Sequence, residues 1–77
     1  MEINITNELK RFTEIFQIEI KRLNGGVLQV CYHRQFEDEM SITANLLSLI
    51  LLGNPNMEIS TTIFFPDKGI LICMREK

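Results

Sequence analysis

Histidine occurs once in this 77-residue chain, at His33, and that scarcity excludes any metal site needing two imidazoles from one copy. A mixed site would have to join His33 to Cys31, Glu37, Asp38 or Glu39. The spacing from His33 to Glu37 looks helical but straddles a strand end and a turn, so neither a metal nor another cofactor is expected. Cysteine is also scarce: Cys31 and Cys73 stand far apart with no CxxC spacing. Cys31 and His33 would share one face of a strand about 6–7 Å apart, beyond the reach of a nucleophile and its base. Cys73 could approach His33 only if the strands carrying them paired in a favourable register. Both thiols read more simply as small buried hydrophobes.

Other absences narrow the field further. Gly25-Gly26 follows a helical pattern and precedes a strand, the reverse of the strand-to-helix order a phosphate-binding loop needs. Lys10, Arg11, Lys21 and Arg22 lack the interleaved aromatics of single-strand binders. A net charge of −2 supplies no general attraction for phosphate backbones, so nucleic acid is not an expected partner. The longest apolar run, residues 42–52, is about half the roughly 20 residues of a membrane-spanning helix, and Asn45 and Ser48 interrupt it. No basic segment followed by an apolar run opens the sequence. A cytoplasmic protein with reduced thiols, not embedded in a membrane, is expected.

What the chain does have is apolar mass: 45% hydrophobic residues against 23% charged. This is the composition of a single globular domain over residues 1–77, with few charges left to cover its surface. A second copy would cover what remains exposed, and a homo-oligomer, most simply a two-fold dimer, is expected.

Thr6 reads as an N-cap, with Glu8 in the first turn, and helix formers continue to Leu23 before Asn24-Gly25-Gly26 stops them. Leu9, Phe12, Phe16, Ile20 and Leu23 form one stripe, joined by Ile5 at the entry. Ile15 and Ile18 would fall towards the back of this helix near Arg11 and Arg22, making Ile15, Ile18 and Arg22 a candidate oligomer contact. Val27 to Arg34 alternates as a strand, with Leu28, Val30 and Tyr32 on one face and Val27, Gln29, Cys31 and His33 on the other. Asp38 or Ser41 caps a second helix running to Leu52, whose stretch from Ile42 to Leu52 is too apolar to face water on any broad side. Gly53 supplies a left-handed C-cap, and Pro55 prevents continuation.

Met57–Phe65 and Ile70–Arg75 are strand formers joined by Pro66-Asp67-Lys68-Gly69, the chemistry of a hairpin turn. Pairing Pro66 with Ile70 sets Phe65 against Leu71. Phe64, Ile70, Ile72 and Met74 then share one face, and Ile59, Ile63, Phe65, Leu71 and Cys73 the other. The order α-β-α-β-β predicts a small two-layer α+β domain, with two helices on a three-stranded mixed sheet whose first two strands run parallel through the second helix.

The densest polar and aromatic cluster is Tyr32, His33, Arg34, Phe36, Glu37, Asp38 and Glu39, where a strand enters a connection. It has the residue types of a protein-binding surface. The leading expectation is a non-enzymatic protein working by contact, as a regulator or stoichiometric inhibitor of another protein. In general profile it is similar to small inhibitors encoded by phages and mobile elements, without any motif to carry that likeness. One alternative is a small-molecule-binding oligomer with a pocket between subunits near Tyr32, His33 and Arg34. The other is a small enzyme with an intersubunit site using His33 and neighbouring acids.

Overall fold

The computed structural model describes residues 2–66 and 68–77; Asp67, inside the predicted hairpin turn, lies outside them. The first helix, α1 (Asn7–Phe16), starts where its cap predicts, with Thr6 Oγ1 accepting from the Leu9 N–H at 3.2 Å. It ends well short of Leu23. Gln17 takes a left-handed conformation, φ 57°, and the chain leaves the helix directly into a strand, β1 (Ile18–Leu23).

The stripe read as helical from Phe16 through Ile20 to Leu23 also fits a strand, because Ile18 and Ile20 alternate with Glu19 and Lys21. Pairing decides between the two readings: β1 runs antiparallel to β2 (Val27–Tyr32), from Ile18 opposite Tyr32 to Leu23 opposite Val27. Asn24-Gly25-Gly26 is therefore a hairpin loop and not a helix stop, and both glycines hold positive φ, 78° and 76°.

The second hairpin, β3 (Met57–Phe65) with β4 (Gly69–Glu76), forms where the sequence predicts. Its loop has the expected length but begins one residue earlier, and the Lys68 N–H donates to the Phe65 carbonyl at 3.0 Å. Phe65 then faces Gly69, Phe64 faces Ile70 and Ile63 faces Leu71. This register differs by two positions from the expected one, an even slip that keeps every side chain on its face. Ile59 is the exception. A bulge between Ile59 and Thr61 moves it opposite Met74 and onto the core side.

The sheet has four strands in the order β1-β2-β4-β3, each pair antiparallel. The expectation of three strands with a parallel pair is corrected by the unforeseen β1, which takes one side of β2 and leaves β4 the other. The chain order becomes α-β-β-α-β-β; the α+β class and the two helices stand.

Between the hairpins runs α2 (Glu39–Leu52), capped by Asp38, whose Oδ1 accepts from the Ser41 N–H at 3.0 Å. Its other end is not the left-handed glycine expected: Gly53 has φ −80°. The side chain of Asn54 does the tying instead. Its Nδ2 donates to the carbonyls of Ile50, at 2.8 Å, and Asn4, at 3.0 Å, and its Oδ1 accepts from the Asn4 N–H at 2.7 Å. The N-terminal segment is thereby clipped to the end of α2, with Ile3 in the core.

Both helices lie on one side of the sheet. Leu9, Leu46 and Ile50 from the helices meet Ile18, Leu28, Val30, Ile70, Ile72 and Met74 from the strands, all buried. The apolar stretch of α2 is enclosed on that side only, since Met40 and Leu52 at its two ends face solvent. Among the described residues no helix is long and apolar enough to cross a membrane.

Candidate functional site

A two-layer fold with both helices on one side leaves the far face of its sheet uncovered. The register places three cross-strand rows on that face: Leu23, Val27, Cys73 and Thr61; then Lys21, Gln29, Leu71 and Ile63; then Glu19, Cys31, Gly69 and Phe65. Polar residues gather on β1 at one margin. The centre and the β3 side are mostly apolar, interrupted by Gln29 and Thr61, with Val27, Cys31, Leu71 and Cys73 half-buried by their neighbours and Ile63 and Phe65 exposed.

Gly69 shapes the third row. Its φ of 138° is a glycine conformation, and a Cβ there would overlap the carbonyl of Val30, so β4 can approach β2 closely only because the side chain is missing. The gap becomes a shallow apolar hollow of about 330 Å³, bordered by Gln29, Cys31, Phe65, Lys68 and Leu71. A larger open hollow of about 600 Å³ lies beside Glu2, Asn54, Asn56, Glu76 and Lys77. Its one buried polar side chain, Asn54, is already engaged in the clip described above.

The residues singled out in the sequence are distributed differently from what their clustering suggests. Tyr32 is buried, its hydroxyl hydrogen-bonded to Thr43 Oγ1. Burial pushes that hydroxyl's pKa above its ordinary value, with Glu39 adding to the rise and the Thr43 hydrogen bond opposing it. Phe36 packs edge-on against Tyr32 at 5.5 Å and near Phe16 at 6.2 Å. The two aromatics thus anchor the loop to the core and do not project from it. Arg34 lies over the Phe36 ring at 5.1 Å. His33 pairs with Glu19 across the hairpin at 3.0 Å. Glu37 and Asp38 are exposed and Glu39 is half-buried, with Asp38 committed to its cap.

The structure also separates Ile15, Ile18 and Arg22. Ile15 remains on α1 and is 62% exposed. Ile18 is buried in β1, which removes it from any surface. Arg22, on the same strand, donates to the Ile3 carbonyl at 3.2 Å and reaches Glu2 at 3.7 Å. The strand expected to reach Arg34 ends at Tyr32, so His33 lies just beyond it; β2 does pair with β4, but Cys73 falls opposite Val27, the end of β2 remote from His33. Among the described residues no three His, Cys, Asp or Glu side chains converge as a metal site would require.

In the sequence, the mixed face of Val27, Gln29, Cys31 and His33 and the apolar residues Ile63, Phe65, Leu71 and Cys73 belong to separate elements. Only the antiparallel pairing of β2 with β4 joins them, without His33, into one surface. No protein-family model matches the chain, and neither does any curated protein or solved structure.

Proposed function

We propose that this protein acts by contact, as a regulator or stoichiometric inhibitor of another protein, and that its open sheet face is the contact surface. The observation that carries the reading is the apolar centre of that face, Val27, Cys31, Ile63, Phe65, Leu71 and Cys73, on a chain with room for a helix layer on one side only. An apolar surface bordered by charged groups, here Glu19, Lys21 and Lys68, with Gln29 as a polar group set within it, has the anatomy of a protein-binding patch. Affinity purification with Leu71→Lys tests it. The partner captured by wild type, identified and then purified, should form a complex of fixed stoichiometry with wild type and none with Leu71→Lys, whose fold is checked by circular dichroism. The loop variant Arg34→Ala with Glu37→Ala should still bind. Loss of the partner from the loop variant alone would place the surface at residues 33–39 instead.

The hollow at Gly69 favours a second reading, capture of a small apolar molecule. Its volume is near the lower end of ligand pockets, roughly 300–1,000 Å³. A metabolite that raises the melting temperature of wild type, but not of Leu71→Lys, would support this reading over the first.

A further inference from the structure

The two edges of the sheet are defended unequally. β1 carries Glu19, Lys21 and Arg22 along its length, the charges by which a free edge refuses another strand. β3 carries no charge from Ile59 to Phe65, and its last three residues, Ile63, Phe64 and Phe65, are 46%, 60% and 44% exposed. The bulge after Ile59 marks one end of the straight edge and Pro66 the other, leaving residues 61–65 between them.

The backbone of that segment has groups to offer. In β4, the Met74 N–H donates to the Gly26 carbonyl at 2.8 Å, and the Lys68 carbonyl just before the strand accepts from Tyr32 at 2.9 Å. Even-numbered residues there bond towards β2, so Gly69, Leu71 and Cys73 turn to β3. Their partners Phe65, Ile63 and Thr61 spend their amides inside the sheet. By the alternation of an antiparallel ladder, Thr62 and Phe64 hold theirs outward.

We infer that the protein is a two-fold dimer in which the outer edges of β3 pair antiparallel, with Ile63 facing its own counterpart on the axis. Thr62 of each copy then exchanges backbone hydrogen bonds with Phe64 of the other. Thr61 lies across from Phe65, so β-branched residues meet aromatics, a favourable cross-strand combination. A second copy fits this edge because antiparallel self-pairing meets the outward N–H and carbonyl groups of Thr62 and Phe64 with their own complements. The pairing also consumes both unprotected edges and leaves the two charged β1 edges outside, so assembly stops at two. The dimer stands independently of what the open sheet face binds.

Light scattering at tens of micromolar should give twice the 9.0 kDa chain mass. Thr62→Pro removes an outward N–H while sparing the inner ladder, as proline is tolerated on an edge whose N–H faces solvent; it should be monomeric with an unchanged circular dichroism spectrum. In a Cys31→Ser, Cys73→Ser background, Ile63→Cys supplies a second readout. Facing residues of a non-hydrogen-bonded antiparallel pair lie about 4.5 Å apart at Cα, within disulfide reach, so oxidation should cross-link the variant almost completely. Leu71→Cys, one strand further in on the same face, should stay largely uncrosslinked. A monomeric wild type overturns the proposal, as does a dimer that persists in Thr62→Pro. Faster cross-linking through Leu71→Cys would also overturn it, since that outcome means the sheets stack face to face.

Discussion

Gly69 and Tyr32 show how much of the fold rests on single side chains, one missing and one buried. At Gly69, any Cβ meets the Val30 carbonyl and the backbone is held at positive φ, so Gly69→Ala combines a steric overlap with conformational strain of order 1–3 kcal/mol. Chemical denaturation should show a loss of at least ~2 kcal/mol. Tyr32 carries a different signature. Its hydroxyl bonds Thr43 inside the core, and burial raises its pKa above the ordinary 10.0. A raised pKa means that the folded state favours the neutral phenol. Its stabilisation is fully present below pH 10 and is lost as the pH climbs through the folded-state value. Tyr32→Phe should cost about 1 kcal/mol at neutral pH, the net worth of a typical hydrogen bond. The gap between variant and wild type should narrow above pH 10; a constant gap through pH 11 would refute the assignment.

At the scale of elements, the junction between α1 and β1 sets the topology, and Gln17 is its pivot. A non-glycine residue in the left-handed region costs roughly 1 kcal/mol, which glycine relieves. Gln17→Gly should therefore be neutral or stabilise by up to ~1 kcal/mol. In a continuous helix to Leu23 the same change would destabilise by about that amount, so the sign of the measured shift separates the two structures. Much of the rest was legible. Asp38 as a cap, α2 through Leu52, the second hairpin, and the face shared by Leu28, Val30 and Tyr32 all follow from local chemistry and period. What could not be read was the strand after Gln17, because Phe16, Ile20 and Leu23 satisfy the helical period while Ile18 and Ile20 satisfy the strand period. Only a partner strand breaks that tie. The cluster at residues 32–39 misled for a related reason. Tyr32 and Phe36 look like display aromatics in sequence, and their packing against Phe16 and Thr43 depends on long-range placement.

For the whole molecule, the governing fact is a core built on one side of a sheet. A domain of this size holds only a few kcal/mol of net stability, so any copy-to-copy contact registers in its melting behaviour. The melting temperature of wild type should rise with protein concentration, as mass action requires of a dimer. That of Thr62→Pro should not; parallel behaviour of the two proteins would remove the link between edge pairing and stability. The helix-to-strand reversal at Gln17 has a consequence in time as well as in space. While the chain is being synthesised, residues 18–23 emerge before β2 exists to receive them, and their local period still permits α1 to continue. A nascent chain cut after Asn24 should therefore carry helix beyond Phe16, and the addition of residues 25–34 should convert that segment to a hairpin. Helical signal from Ile18–Leu23 on stalled chains, lost as β2 emerges, is the observation that checks it.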